Sequence, residues 1–216
     1  MSKIQYYLTY FGLFTIVYNL LCILNHTRSI KGGIILIIEG ILGIACLFLP
    51  NILSKIFSIS FPKELIIIYL FFIFISVFLG TCLHLITHIP FYDKILHASS
   101  PILLTFIGYG LIAAFIPKQI ITSISPWLFL IFGMAFAEMC GVFWEFWEYS
   151  CDALFKMNLQ RFSLSNGTLL VGRQALMDTM GDLLVNTLGA LIALVYSFFK
   201  YRQNPQFFLH FEISIK

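Results

Sequence analysis

The amino-acid sequence predicts an all-α protein, a polytopic bundle of about six transmembrane helices that forms a single membrane domain over residues 1–216. Three observations predict it. First, 60% of the residues are hydrophobic and 11% are charged, whereas a water-soluble domain carries about 25% Asp, Glu, Lys and Arg. A soluble fold of this length has too little interior to hide that much apolar surface, so the bilayer must solvate most of the side chains. Second, apolar runs of span length recur six times with few charges inside them. Third, Pro50, Pro62, Pro90 and Pro117 fall at the edges of those runs, where water can satisfy the backbone groups that a helix end leaves unbonded.

In chain order the spans cover residues 6–24, 33–49, 65–86, 95–116, 127–149 and 180–199. The first follows Met1-Ser2-Lys3 and has no small-residue cleavage site before Asn25, which makes it an anchor and not a signal peptide. The second contains Glu39 near its middle, beside Gly40 and Gly43. The third ends with His84 and His88, one helical turn apart, and a short connection leads to His97 at the start of the fourth. The fifth is rich in acids and aromatics, and the sixth opens with Asp182 and Asn186 above a small-residue stretch at Gly189 and Ala193. Residues 200–216 form a short polar-aromatic tail.

An even number of crossings puts both termini on one side, here side A. Lys3, Lys55, Lys63, Lys118, Lys200, Arg202 and Lys216 belong to side A, and Arg28, Lys31, Lys94, Lys156, Arg161 and Arg173 to side B. That balance is too even for the positive-inside rule to orient the chain. The net charge of +3 is scattered over the loops, which excludes the clustered basic face of a nucleic-acid-binding protein. Cys22, Cys46, Cys82 and Cys140 lie inside apolar runs and Cys151 at the edge of one, the pattern of packing residues and not of a disulfide framework.

An ionisable residue at membrane depth is costly, so it marks a functional site by default. At about 100° per residue, Glu138, Gly141, Glu145, Glu148 and Asp152 share an arc of roughly 80° on the fifth span, while Phe143, Trp144, Phe146 and Trp147 point elsewhere. On the sixth, Asp178, Asp182, Asn186, Gly189 and Ala193 share a similar arc, polar above and small below, so one face both packs closely and presents carboxylates. Glu145, Glu148, Asp178, Asp182 and His97 all fall near side B. The candidate ligand-binding residues are therefore His97, Glu138, Glu145, Glu148, Arg173, Asp178, Asp182 and Asn186, with Arg173 as a forked donor to phosphate or carboxylate. His84 and His88 are a candidate metal pair for a divalent ion.

The segments Asp93-Lys94-Ile95-Leu96-His97, Glu138 with Trp144-Glu145-Phe146-Trp147-Glu148, and Gly172-Arg173-Gln174 followed by Asp178, Asp182, Asn186 and Gly189-Ala190 resemble the VanZ-like membrane proteins and the YjdF-type group. The likeness spans about residues 65–199. Arg173 and Ala175 depart from the YjdF-type pattern, and Asn186 is closer to the VanZ side. The resemblance implies a multi-pass protein of the bacterial cell membrane, with VanZ itself tied to teicoplanin resistance at the envelope, and it implies no particular reaction.

Three function classes remain. One is binding or transport of a polar or lipid headgroup, with membrane lipids and a lipid-linked or phosphate-bearing ligand as partners; proton-coupled exchange would fit Glu39 and Glu138. Another is a metal-dependent intramembrane hydrolase or transferase acting on a lipid-linked envelope substrate, although no H-E-x-x-H motif is present. The third is a structural membrane subunit in which the acids and Arg173 lock helices together.

Overall fold

Backbone N–H and C=O groups in hydrocarbon have no water to bond, so each apolar run satisfies them internally as a helix. The computed structural model describes residues 2–164 and 166–215. Its helices are α1 (Lys3–Leu24), α2 (Ile30–Leu47), α3 (Leu49–Ile56), α4 (Lys63–Ile73), α5 (Leu85–His88), α6 (Tyr92–Ala114), α7 (Lys118–Ile121), α8 (Pro126–Phe155) and α9 (Met177–Gln203). α4 continues without a break as a π-helical stretch, Phe74–Cys82, and a 3₁₀ turn, Gly172–Leu176, leads into α9. Six of these segments are long and apolar enough to cross a membrane. The protein is a multi-pass membrane protein of all-α class.

The chain folds as two compact units, one made of residues up to Leu96 together with those from Phe211 onward, the other of His97–His210. In the first, a capping box starts α1: Gln5 N–H donates to Ser2 Oγ, and Ser2 N–H donates to Gln5 Oε1 at 2.9 Å. The Gln5 amide also donates to the Leu47 carbonyl and to Asn51, which ties the start of α1 to the end of α2 and to α3. Leu47, Leu70, Ile73, Phe78 and Cys82 form the core. Gly43 lets α2 approach the π-helical stretch, since a Cβ there would meet Val77 at 2.7 Å. A two-residue strand, β1 (Ile59–Ser60), pairs antiparallel with β2 (Ser214–Ile215).

The third span is shorter than its apolar run predicts. It ends at Cys82, because His84 adopts a left-handed backbone (φ 62°) and starts the separate helix α5. His84 and His88 are therefore one turn apart on the separate short helix α5 and not on the third span, with the His88 N–H donating to the His84 carbonyl at 3.1 Å; their rings meet edge-on with centroids 6.4 Å apart.

In the second unit, α6, α8 and α9 pack around Tyr109, Phe129 and Phe208, all essentially sealed from solvent. The Phe129 and Phe208 rings stack with centroids 4.5 Å apart, so part of the polar-aromatic tail is core. α6 and α9 approach at Gly189, where a Cβ would fall 2.7 Å from Pro101 and closer still to the Ala98 carbonyl oxygen. The small residues on the sixth span thus serve close helix packing, as in other membrane bundles.

A carboxylate seam between two helices

The acidic stripe of α8 faces inward. Glu145, Glu148 and Asp152 are at least nine-tenths buried, while Phe143, Trp144, Phe146 and Trp147 between them are all more than half exposed. That division follows from helical periodicity: the stripe recurs every three or four residues and the aromatics occupy the other directions. On α9 the matching stripe is buried too, with Asp182 1% and Asn186 2% exposed. α8 and α9 pack against each other, and the two stripes meet along that seam.

Each level of the seam has its own chemistry. At the deep end, Gly141 makes room for Asn186, whose amide atoms lie 2.8 Å from the position a Cβ would take. Asn186 Nδ2 donates to Glu138 Oε2 at 3.3 Å, and Thr187 Oγ1 donates to the same oxygen at 3.2 Å. One turn nearer the end of the bundle, His97 Nε2 on α6 stands 3.6 Å from Asp182 Oδ1. That is long for a hydrogen bond, and it is a spacing that two ligands of one ion could adopt by a small adjustment. Trp144 Nε1 donates to Glu148 Oε1 at 2.9 Å, so one belt indole also holds a buried acid.

The loop after α8 closes the seam. Lys156 ends the helix in a left-handed conformation. Both Asp152 oxygens then accept backbone N–H groups beyond it, Leu159 at 2.7 Å and Gln160 at 3.0 Å, so a carboxylate caps the turn that follows. The Gln160 side chain donates to Thr179 Oγ1 at 2.9 Å and to Glu145 Oε2 at 3.2 Å, bridging α8 and α9. Arg161, at φ 48°, brings Nη1 to 3.5 Å from Asp178 Oδ1. A non-glycine residue held in that region of backbone space costs about 1–3 kcal/mol and persists only where its surroundings enforce it. Beyond it, Leu164 and Leu170 close a small hairpin through Thr168 and Phe162.

Glu138, Glu145, Glu148, Asp178, Asp182 and Asn186 line this seam together with His97. Arg173 is elsewhere: it lies exposed on the 3₁₀ turn and makes no hydrogen bond or ion pair among the described residues. The guanidinium beside Asp178 belongs to Arg161. The sequence reading did not assign Gln160, Arg161, Thr179 or Thr187 to the site. Asp152 was visible as the last member of the α8 arc, but its role as cap of the following loop was not. His84 and His88 lie in the other unit, and no group of three or more metal-type ligands includes them among the described residues.

Glu138, Glu145 and Asp152 have no cationic partner among the described residues, and one buried oxygen of Glu138 and one of Glu145 accept no hydrogen bond there. The residues from 8 to 203 match the model of a family described as predicted membrane proteins, DUF2238. The chain belongs to the DUF2238 family. No curated protein and no solved structure matches it. In this DUF2238 protein the seam gathers buried acids on two spans with a histidine and an arginine. Its oxygen-rich donor set suits a hard divalent cation or an ammonium group, and with His97 it also suits zinc.

Proposed function

We propose that this DUF2238 protein binds a cationic group, a divalent metal ion or an amine, in the α8–α9 seam, as a binding or transport step at one membrane face. The observation that carries the reading is Glu145: it is 4% exposed, one of its oxygens is without a partner among the described residues, and no cation stands against it there. An ionisable group that deep without a partner marks a place for a positive ligand. Glu138 repeats the arrangement two turns deeper, which gives a cation a second stop along the same helix. The exposed position of Arg173 favours a positive ligand over the phosphate that a forked donor would have taken. The likeness to VanZ-like and YjdF-type proteins supports a place in the cell envelope.

The test is native mass spectrometry with elemental analysis on protein gently extracted from membranes. Wild type should retain a metal ion or an amine-bearing molecule in stoichiometric amount. Glu145→Gln and Asp182→Asn should remain folded and retain at least tenfold less. Equal retention by wild type and both variants would defeat the proposal.

A second reading draws on His97 and Asp182. Were they to share a zinc ion, the bound water would be acidified and could serve a hydrolase or transferase acting on a lipid-linked substrate. Metal retained by wild type and lost in both His97→Gln and Asp182→Asn is what that reading requires; an amine in place of metal excludes it.

A further inference from the structure

The first unit holds a largely apolar cavity, with a few polar side chains at its wall, that the seam does not account for. It has a volume of about 380 Å³ and is lined by Arg28, Gly32, Leu36, Glu39, Thr81 and His84, with Ile35 and Ile86 among its apolar walls. Glu39 lies two helical turns below Gly32, about 10 Å deeper at the rise of an α-helix.

Arg28 does not extend into water. Its Nη1 donates to Oδ1 of Asn19, nine residues back inside α1. Asn19 is wholly buried, and its own amide donates to the Thr15 carbonyl at 2.8 Å and the Cys82 carbonyl at 3.0 Å. The Cys82 carbonyl is available for this because the π-helical stretch ends there and His84 turns the backbone left-handed. The guanidinium is thus fastened by a buried, fully engaged amide, while its other N–H groups have no partner among the described residues. Across the cavity, the buried Oε2 of Glu39 accepts no hydrogen bond among the described residues. Arg28 and Glu39 line one cavity, and no ion pair joins them among the described residues. His84 adds no competing charge at neutral pH: burial, then Arg28, then His88 hold its pKa below the ordinary histidine value.

We propose that this cavity binds an amine-bearing phosphate, with the phosphate at Arg28 and the ammonium at Glu39. An arginine fork matches phosphate geometry, and a lone carboxylate two turns deeper suits a primary ammonium. A group carrying both charges satisfies both residues at once, which neither a simple anion nor a simple cation does. The apolar walls suit a zwitterionic phospholipid headgroup whose acyl chains stay in the bilayer. A free phosphoethanolamine-type molecule has the same chemistry and is distinguished by experiment.

The full-length protein is reconstituted in nanodiscs of phosphatidylethanolamine mixed with phosphatidylglycerol, extracted, and weighed by native mass spectrometry. Wild type should keep one phosphatidylethanolamine in at least tenfold preference over phosphatidylglycerol. Glu39→Gln should abolish that preference. The swap keeps size, and Oε2 makes no hydrogen bond among the described residues to lose; an unchanged far-UV circular dichroism spectrum checks that the variant is folded. Arg28→Gln should lose both lipids, and Leu188→Ala on the exposed face of α9 should change nothing. Adding millimolar phosphoethanolamine separates the sources: displacement of the lipid, or binding in its absence, points to the soluble molecule, and retention of the lipid alone points to the bilayer. If wild type keeps neither lipid nor free headgroup, or if Glu39→Gln keeps the wild-type preference, the proposal is overturned. Should Arg28→Gln fail to fold, Glu39→Gln decides alone.

Discussion

Gly141→Ala should disarm the deep end of the carboxylate seam from a position that bears no chemistry. A Cβ built there stands 2.8 Å from three amide atoms of Asn186, about 0.6 Å inside ordinary contact. Asn186 is 2% exposed and cannot swing into solvent. It must rotate in place, which breaks its 3.3 Å bond to Glu138. Overpacking of this size costs about 1–3 kcal/mol, and losing a hydrogen bond to a charged group costs about 1.5–3 kcal/mol. Replacing glycine inside a helix returns about 1 kcal/mol. The net is a destabilisation of about 1.5–5 kcal/mol, or about 3–20 °C in Tm at the 2–4 °C per kcal/mol typical of a chain this size. Thermal unfolding in detergent measures it, with Leu188→Ala on the exposed face of α9 as a control expected to move Tm little. The decisive comparison is the double variant Gly141→Ala/Asn186→Ala. With the amide gone the added methyl has room, so the pair should be more stable than the sum of the two single losses by about 1–2 kcal/mol, as contacting residues in a double-mutant cycle show. Strict additivity, or a Gly141→Ala protein as stable as wild type, would mean that α8 and α9 do not meet here as described.

Three further outcomes test other parts of the structure. Asp152→Ala removes two charge-assisted bonds to the Leu159 and Gln160 N–H groups. Hydrogen exchange across residues 156–164 should speed up at least tenfold, with Asp152→Asn intermediate; an unchanged rate would show that the cap does not hold the loop. His84 titrates below the ordinary histidine value of 6.5 because of burial, Arg28 and His88. As pH falls through about 6.5 the unfolded chain takes a proton that the folded chain refuses, so stability drops until His84 itself protonates, and it is fully present above that window. Tm measured from pH 8 to 5 should fall less steeply in His84→Gln than in wild type, and superimposable profiles would reject the assignment. Finally, Gln5 binds the α2–α3 junction and β2 pairs with β1, so both ends of the chain gather at one end of the first unit. Reporters fused before Lys3 and after Lys216 should occupy the same compartment, and opposite compartments would refute the six-span topology.

The sequence by itself determined the spans and the faces of the long helices. Hydrocarbon length sets how many apolar residues a span needs, and a period of 3.6 sets which side chains share a face. Those two facts alone placed Glu138, Glu145, Glu148 and Asp182 in the interior and the aromatics of α8 outside. Periodicity carries no information about where an irregular segment returns, and every revision lies in such a segment. Arg161 and Arg173 are both cations in the connection between α8 and α9, and nothing in their spacing tells them apart. Arg161 reaches Asp178 because Asp152 fastens the turn just before it and the backbone at Arg161 is left-handed, both consequences of tertiary packing. His84 reads as the last turn of a long helix because the apolar run continues past Cys82; the span stops there because the backbone turns left-handed at His84, and the Cys82 carbonyl so freed bonds Asn19 of α1, sixty-three residues away. The same contact turns Arg28 from a loop cation into part of a cavity wall. Helices follow from local backbone chemistry, whereas the partners of a buried charge are fixed only when distant segments compete for the same few donors and acceptors.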